Sequence, residues 1–85
     1  MIFQSKALPE FWNHYHSLPV DIQLRADKQF ALLSSNPRHP SLQFKLVGAF
    51  WSARVTDNYR ALAILEGNVF TWFWIGPHAE YDRLL

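Results

Sequence analysis

The sequence contains no cysteine, only three glycines and a single methionine. Without cysteine the chain forms neither disulfides nor thiolate metal sites, so its 85 residues depend on packing for stability. No apolar run approaches the roughly 18 residues of a membrane-spanning helix, and the N-terminus lacks the basic-then-apolar pattern of a signal peptide. Together these absences predict a cytoplasmic protein with no membrane partner.

Aromatic residues are abundant instead. Four tryptophans, seven phenylalanines and three tyrosines make up 16% of the chain. A chain this short buries only about 60% of the surface that its unfolded form exposes, and large rings compensate because each buries much area. The sequence therefore predicts one folded domain spanning residues 1–85.

Positive charge is concentrated in the middle of the chain, although the net charge is only +1. The segment from residue 38 to residue 60 contains four lysines and arginines but only one acidic residue, Asp57. Such a segment is typical of a phosphate-binding surface. The alternative is a solvated face of a sheet, which charge alone favours.

Two Leu-Pro pairs predict two helices. The residue before proline is disfavoured in a helix, whereas proline suits the first helical position. The first helix opens at Leu8-Pro9; the second opens at Leu18-Pro19 and ends near residues 34–36, because Pro37 cannot continue it. Each carries an apolar stripe at helical spacing, namely Leu8, Phe11, Trp12 and Tyr15 in the first and Ile22, Ala26, Phe30 and Leu33 in the second.

After residue 40 the apolar period changes from 3.6 to 2, which predicts strands. The expected strands cover residues 42–46, 51–56, 59–65 and 69–75, and the short connections between them predict antiparallel pairing. Residues 2–5 form a short leading strand or lie extended. The chain is expected to break at Gly76-Pro77 and to end in a short polar tail. The predicted fold class is α+β, an N-terminal αα-hairpin packed on a four-stranded antiparallel β-meander.

Three polar residues are candidates for chemistry. Arg60 lies in an apolar stretch, where a guanidinium is costly unless it faces a groove, a partner or a carboxylate such as Glu80 or Asp82. His78 follows the fourth strand, and imidazole suits proton transfer near neutral pH, although a lone histidine is more often an ordinary surface residue. Tyr81 stacks on a base, transfers a proton or caps the core.

Two further arginines widen this set. Whether Arg54 shares a face with Arg60 depends on the Asp57-Asn58 turn, because one extra residue in the pairing reverses the face. Arg83 in the tail is a candidate phosphate ligand. Arginine, histidine and tyrosine beside a basic sheet match what RNA cleavage requires: proton removal from the 2′-hydroxyl, cations at the phosphorus and a proton for the leaving oxygen.

No metal or cofactor is predicted. The sequence has no metal-ligand spacing, no glycine-rich phosphate loop and no serine or cysteine nucleophile motif.

Three segments carry a resemblance to a known family: residues 44–45, residues 50–62 (FWSARVTDNYRAL) and residues 74–84 (WIGPHAEYDRL). They resemble the RelE/ParE superfamily, the toxin half of bacterial type II toxin–antitoxin pairs, and within it the YoeB-like and RelE-like messenger RNA interferases. The order of two helices followed by a meander also fits and covers nearly the whole chain.

The resemblance implies specific roles. Arg60 supports the scissile phosphate, and His78 and Tyr81 serve in proton transfer. Lys45 and Arg54 meet ribosomal RNA and messenger, to which Arg83 adds a phosphate ligand. The implied partners are the ribosome with its messenger RNA and a cognate antitoxin, whose disordered segment folds over the groove between helices and sheet. The oligomeric state is not predicted.

The chain also departs from the YoeB-like pattern. Ser41 stands where that pattern has a glutamate general base, and Ala79-Glu80 separates His78 from Tyr81, which are adjacent there. Two alternatives follow: a ParE-like toxin that inhibits DNA gyrase without a catalytic histidine, or a catalytically inactive relative that only binds an antitoxin. Fold resemblance alone does not choose among these activities.

Overall fold

A computed structural model describes residues 3–85, which form three α-helices, a 3₁₀ turn and one five-stranded sheet. In chain order the elements are β1 (Gln4–Ala7), α1 (Pro9–His16), α2 (Val20–Ser35), the 3₁₀ turn (Pro40–Leu42), β2 (Lys45–Val47), β3 (Phe50–Thr56), β4 (Tyr59–Glu66), β5 (Val69–Pro77) and α3 (His78–Leu84). Within residues 3–85 no helix is long and apolar enough to cross a membrane.

The sheet has the strand order β1-β5-β4-β3-β2. Strands β2 to β5 form the predicted antiparallel meander, so the α+β class is confirmed. The predicted count of four strands is wrong, because β1 adds a fifth strand parallel to β5, with Ser5 opposite Phe70. A four-residue strand with three exposed residues carries no alternating pattern of its own, so its pairing is not visible in sequence. Residue 2, included in the predicted leading strand, lies outside the described residues.

Both predicted helix starts are confirmed. Pro9 is the first residue of α1, and Pro19 immediately precedes α2. The predicted stripes supply the buried residues Phe11 and Tyr15 in α1 and Ala26 and Leu33 in α2. Each helix thus turns one apolar side to the sheet.

The strand predicted at residues 42–46 is shorter and later than expected. Residues 40–42 form the 3₁₀ turn, and Gln43 has a positive φ of 43° that interrupts extended backbone. Strand β2 therefore occupies only Lys45–Val47. Proline at position 40 favours the turn because its fixed φ suits the first position of a helical turn.

The predicted break at Gly76-Pro77 is also wrong, because β5 continues to Pro77, which pairs with Tyr59. Proline is tolerated at this end of the strand, where the ladder stops. The residues predicted as a polar tail form α3, whose buried residue is Tyr81. Helix α3 places the chemistry-bearing residues of the C-terminus on a regular element.

The two faces of the sheet are covered differently. The helix face packs against α1 and α2 in a cluster of thirteen buried residues that includes Phe11, Ala53, Ala61 and Trp72. The second face carries a smaller cluster of Leu62, Trp74 and Tyr81, so α3 covers part of this face. Side chains alternate between the faces along each strand except where a β-bulge interrupts the pairing.

Candidate functional site

The two central arginines project from the same face of the sheet. Arg54 lies directly opposite Arg60, and the pairing then shifts so that Thr56 opposes Tyr59. Val55 is the extra residue of this β-bulge; if the Thr56–Tyr59 register continued unshifted, Arg54 would oppose Ala61 and point to the helix face. Since Ala53, Val55 and Ala61 all belong to the helix-face cluster, both arginines project from the second face. Arg54 and Arg60 therefore share a face of the sheet, which the sequence left undecided.

Two like charges directly opposite each other repel, and the β3–β4 turn offsets that repulsion. Arg54 forms an ion pair and a hydrogen bond with Asp57 of the turn. The Arg54 hydrogen bond and charge lower the pKa of the Asp57 carboxyl below its ordinary value. Arg60 Nη1 donates to main-chain oxygens of the same hairpin, including the carbonyl of Tyr59 at 3.0 Å.

Arg60 has no carboxylate partner among the residues that the structure describes. The predicted alternative, a pair with Glu80 or Asp82, is not formed. Carbonyl oxygens hold its guanidinium without neutralising it, and the side chain stays half-buried. Arg60 therefore has carbonyl oxygens and no carboxylate as its hydrogen-bond partners within residues 3–85, and a guanidinium so placed suits an anion.

His78 reaches the same turn from the other side. Its backbone N–H donates to the carbonyl of Asn58 at 2.7 Å, which ties the start of α3 to the β3–β4 turn. Gly76, two residues earlier, lies opposite Arg60 on the neighbouring strand. Arg54, Arg60 and His78 thus surround a single turn. We refer to these three residues and the Asp57-Asn58 turn as the turn site.

Tyr81 packs between the turn site and the second face of the sheet. Its side chain is 7% exposed and packs against Leu62 and Trp74 on the second face. Its ring centroid lies 5.2 Å from that of His78. The structure therefore brings Tyr81 beside His78 but buries most of its ring.

The glycine at position 76 is required by Trp74. A Cβ built at Gly76 would lie 2.6 Å from Cζ2 of the indole, closer than side-chain atoms approach one another. Phe73 is the extra residue of a second bulge, because Leu62 opposes Trp74 whereas Ala63 opposes Trp72. This bulge sends Trp72 to the helix face and Trp74 to the second face, where its ring lies against Gly76.

The remaining predicted cations are exposed. Lys45 lies opposite Ser52, on the same face as Arg54. Arg83 lies on α3. The predicted set therefore shares the second face or the helix that covers it, and Arg54, Arg60 and His78 all lie at the β3–β4 turn.

Sequence reasoning missed the groups that hold the turn site. Gln29 of α2 donates to the carbonyls of Ser41 and Arg54, at 3.3 and 2.9 Å, and so ties α2 to the 3₁₀ turn and β3. Asp82 lies against the imidazole of His78, with its Oδ2 3.3 Å from Nδ1. The spacing of four between His78 and Asp82 would have indicated that contact had α3 been predicted. No sequence signal pointed to Gln29.

Ser41, which replaces the glutamate of the YoeB-like pattern, lies beside the arginine pair. Its carbonyl accepts from Arg54 Nη1 at 3.4 Å, and its hydroxyl lies 2.9 Å from Nδ1 of His39. Within residues 3–85 no group of three or more metal-ligating side chains is found.

A separate cavity of about 630 Å³ lies on the helix face. It lies between the end of α2 and the sheet, with a floor of aromatic rings. Phe70 is at the centre of that floor, with ring centroids 5.0 to 5.4 Å from those of its neighbours Phe3, Phe44 and Trp51. Arg38 is the charged residue of its lining.

No protein-family model and no curated protein matches the chain. Solved structures do match. YafQ from E. coli strain BL21(DE3) superposes with a TM-score of 0.73 at 11% identity, covering 93% of this chain and 97% of YafQ. The RelB–RelE antitoxin–toxin complex from Methanococcus jannaschii gives a TM-score of 0.70 at 17% identity, with 93% and 98% covered. The archaeal RelE–RelB complex from Pyrococcus horikoshii OT3 gives 0.64 at 21% identity, with 91% and 96% covered.

These matches define the chain as a small α+β domain with a fold found in toxins of toxin–antitoxin pairs. More particularly, it has the RelE/YafQ-type fold over nearly its whole length. The predicted resemblance to the RelE/ParE superfamily is confirmed at the level of the fold.

Proposed function

We propose that this chain is the toxin of a type II toxin–antitoxin pair and cleaves messenger RNA on the ribosome. The observation that carries the proposal is the turn site, where two arginines on the second face and His78, the first residue of α3, all lie at one β-hairpin turn. The fold shared with YafQ and RelE supports the same assignment.

The proposed chemistry uses the residues of the turn site directly. Arg60, whose charge no carboxylate neutralises, binds the scissile phosphate and stabilises the charge that develops on it. His78 takes the proton of the 2′-hydroxyl, the 2′-oxygen attacks phosphorus, and the bond from phosphorus to the 5′-oxygen breaks. The 5′-oxygen takes a proton from water. The products are a 2′,3′-cyclic phosphate and a free 5′-hydroxyl.

The surrounding predicted residues take supporting roles. Arg54 lies opposite Arg60 and adds a second cation at the phosphate-binding site. Lys45 and Arg83 bind further phosphates of the RNA on either side of that site. Tyr81 packs on Leu62 and Trp74 of the sheet and so holds the start of α3, with His78, against the second face. Phosphate contacts of this kind position the RNA without reading its sequence.

The antitoxin is proposed to dock on the other side of the sheet. The aromatic cavity opens between the end of α2 and the sheet, the groove where a folding antitoxin segment is expected. An apolar side chain would fill the floor around Phe70, and a carboxylate of the segment would pair with Arg38. Two of the matched structures are complexes of RelE with RelB, which is consistent with such a partner.

The test is primer extension on messenger bound to purified ribosomes, with wild-type chain and His78→Ala. We expect cuts that need ribosomes and fall by about 10²- to 10⁴-fold in the variant, the usual contribution of a proton-transfer group. His16→Ala is the matched control, because His16 is an exposed histidine on α1. Absence of cuts by folded wild-type protein would exclude the interferase and leave gyrase inhibition or antitoxin binding alone.

A further inference from the structure

His78 and Asp82 form a contact for which the proposed chemistry has so far given no role. Nδ1 of His78 lies 3.3 Å from Oδ2 of Asp82, one helical turn further along α3. The two side chains are 42% and 62% exposed. Exposed pairs of this kind contribute little to stability, typically less than about 1 kcal/mol. The contact can instead affect the orientation and the tautomer of the His78 imidazole.

The rest of His78 is already fixed. Its backbone is held by the carbonyl of Asn58, and one side of its ring faces the buried Tyr81. What remains free is rotation of the ring and the choice of which nitrogen carries the proton. A hydrogen bond to one ring nitrogen decides both.

We propose that Asp82 is the positioning residue of His78, which deepens the proposed function and rests on it. An ionised carboxylate only accepts hydrogen bonds, so Asp82 keeps the proton of neutral His78 on Nδ1. Nε2 then carries the lone pair, and it is Nε2 that takes the 2′-hydroxyl proton. The ring becomes an imidazolium, and the adjacent carboxylate stabilises the new positive charge, as an orienting carboxylate does for other catalytic histidines.

The other acids near the turn site are not placed for this role. Asp57 is engaged by Arg54 on the far side of the turn. Glu80 follows His78 by two residues, a spacing that does not share a helix face. Among the acidic residues that the structure describes, Asp82 alone forms a contact with His78.

The first measurement is the tautomer of His78, read from the ¹⁵N shifts of its two ring nitrogens above the pH at which the ring is protonated. Wild-type chain should show a proton on Nδ1. Asp82→Ala should give a mixture of the two tautomers, and Asp82→Asn should also lose the preference for Nδ1, because its amide can donate to Nδ1 as well as accept from it. Glu80→Ala is the matched control, since it removes an exposed acid from the same helix.

The second measurement is cleavage of ribosome-bound messenger by the same variants. Asp82→Ala should lower kcat by about 10-fold or more with KM unchanged, a part of the whole contribution of His78. Asp82→Asn should lose cleavage as Asp82→Ala does, because a neutral amide neither fixes the tautomer nor stabilises the imidazolium. Glu80→Ala should cleave like wild type. The chemical shifts of Tyr81 monitor the docking of α3 in each variant.

The outcomes separate the two proposals. A tautomer unchanged in Asp82→Ala would overturn the positioning role, as would an unchanged kcat with active wild-type chain. If wild-type chain cuts nothing, the proposed function fails, and the tautomer measurement still decides whether Asp82 positions His78.

Discussion

The two faces of the sheet differ in how they are closed. The helix face is sealed by thirteen buried residues, from Phe11 of α1 to Ile75 of β5. The second face has three, and the helix that covers it is held by the single buried side chain of Tyr81. Apolar burial is the main source of folding stability. Most of the stabilising apolar burial is therefore on the helix face, and the second face carries the arginines of the turn site.

The largest effect is expected from the helix face. Trp72 is 1% exposed and its ring packs edge-on against Phe30 at 5.2 Å. Trp72→Ala should lower the free energy of unfolding by about 3–5 kcal/mol, as large aromatic truncations do. Trp12→Ala removes a ring that is 45% exposed and should cost about 1 kcal/mol or less. Urea unfolding of both variants measures the difference; equal losses would contradict the placement of Trp72 inside the helix-face core and of Trp12 at its exposed margin.

A smaller loss is expected on the second face at Gly76. Gly76→Ala places a methyl group against the Trp74 indole and should cost about 1–3 kcal/mol by overpacking. Gly67→Ala meets no atom within 4 Å but puts a side chain at a φ of +61°, which should cost about 1 kcal/mol. Cleavage should fall only in Gly76→Ala, because Gly76 lies opposite Arg60. If Gly67→Ala lost cleavage equally at matched stability, the location of the site would be wrong.

A hydrogen bond between Tyr15 of α1 and Asp27 of α2 should contribute less than these packing contacts. Tyr15 donates to Oδ1 of Asp27 at 2.7 Å, and this bond with burial and the Asp27 charge raises the pKa of Tyr15 to about 12. Tyr15→Phe should cost about 1 kcal/mol. Tyr59→Phe is the control, because the structure assigns the Tyr59 hydroxyl no hydrogen bond within residues 3–85.

The same pair sets a pH dependence. The folded-state pKa of Tyr15 lies above the unfolded value of about 10, so its stabilisation is complete below pH 10 and is lost as pH rises to about 12. Wild-type stability should therefore fall across that window more steeply than that of Tyr15→Phe. Parallel curves would show that the bond contributes nothing.

The smallest effect is expected at the exposed turn. Arg54 lowers the pKa of Asp57, so any stabilisation is present above the unfolded pKa and is lost as pH falls through the folded one. In an NMR titration the Asp57 pKa should rise towards its ordinary value in Arg54→Gln. Lys28→Gln, a change on the exposed side of α2, should leave it unmoved.

Much of the fold was predictable because its signals are local. The Leu-Pro pairs start both helices, alternation marks β3, and apolar runs between turn residues mark β4 and β5. The parallel pairing of β1 with β5 and helix α3 were missed, because a four-residue edge strand and a seven-residue C-terminal helix depend on partners that are distant in sequence.

The candidate site was predictable as a set of residue types but not as an arrangement. Arg54, Arg60 and His78 were chosen from composition and resemblance. Their common location depends on the bulge at Val55 and on the bond from His78 to Asn58, and neither has a sequence signature. Had the Thr56–Tyr59 register continued without the bulge, Arg54 would oppose Ala61 and the two arginines would lie on opposite faces.

The most direct test of this division between the faces is Arg60→Gln, measured for single-turnover cleavage of ribosome-bound messenger and for unfolding in urea. Because Arg60 is held by carbonyl oxygens on the second face and packs in neither buried cluster, cleavage should fall by about 10²- to 10³-fold. The free energy of unfolding should change by less than about 1 kcal/mol. Lys28→Gln should match wild type in both. Undiminished cleavage, or a loss matched by unfolding, would contradict the account.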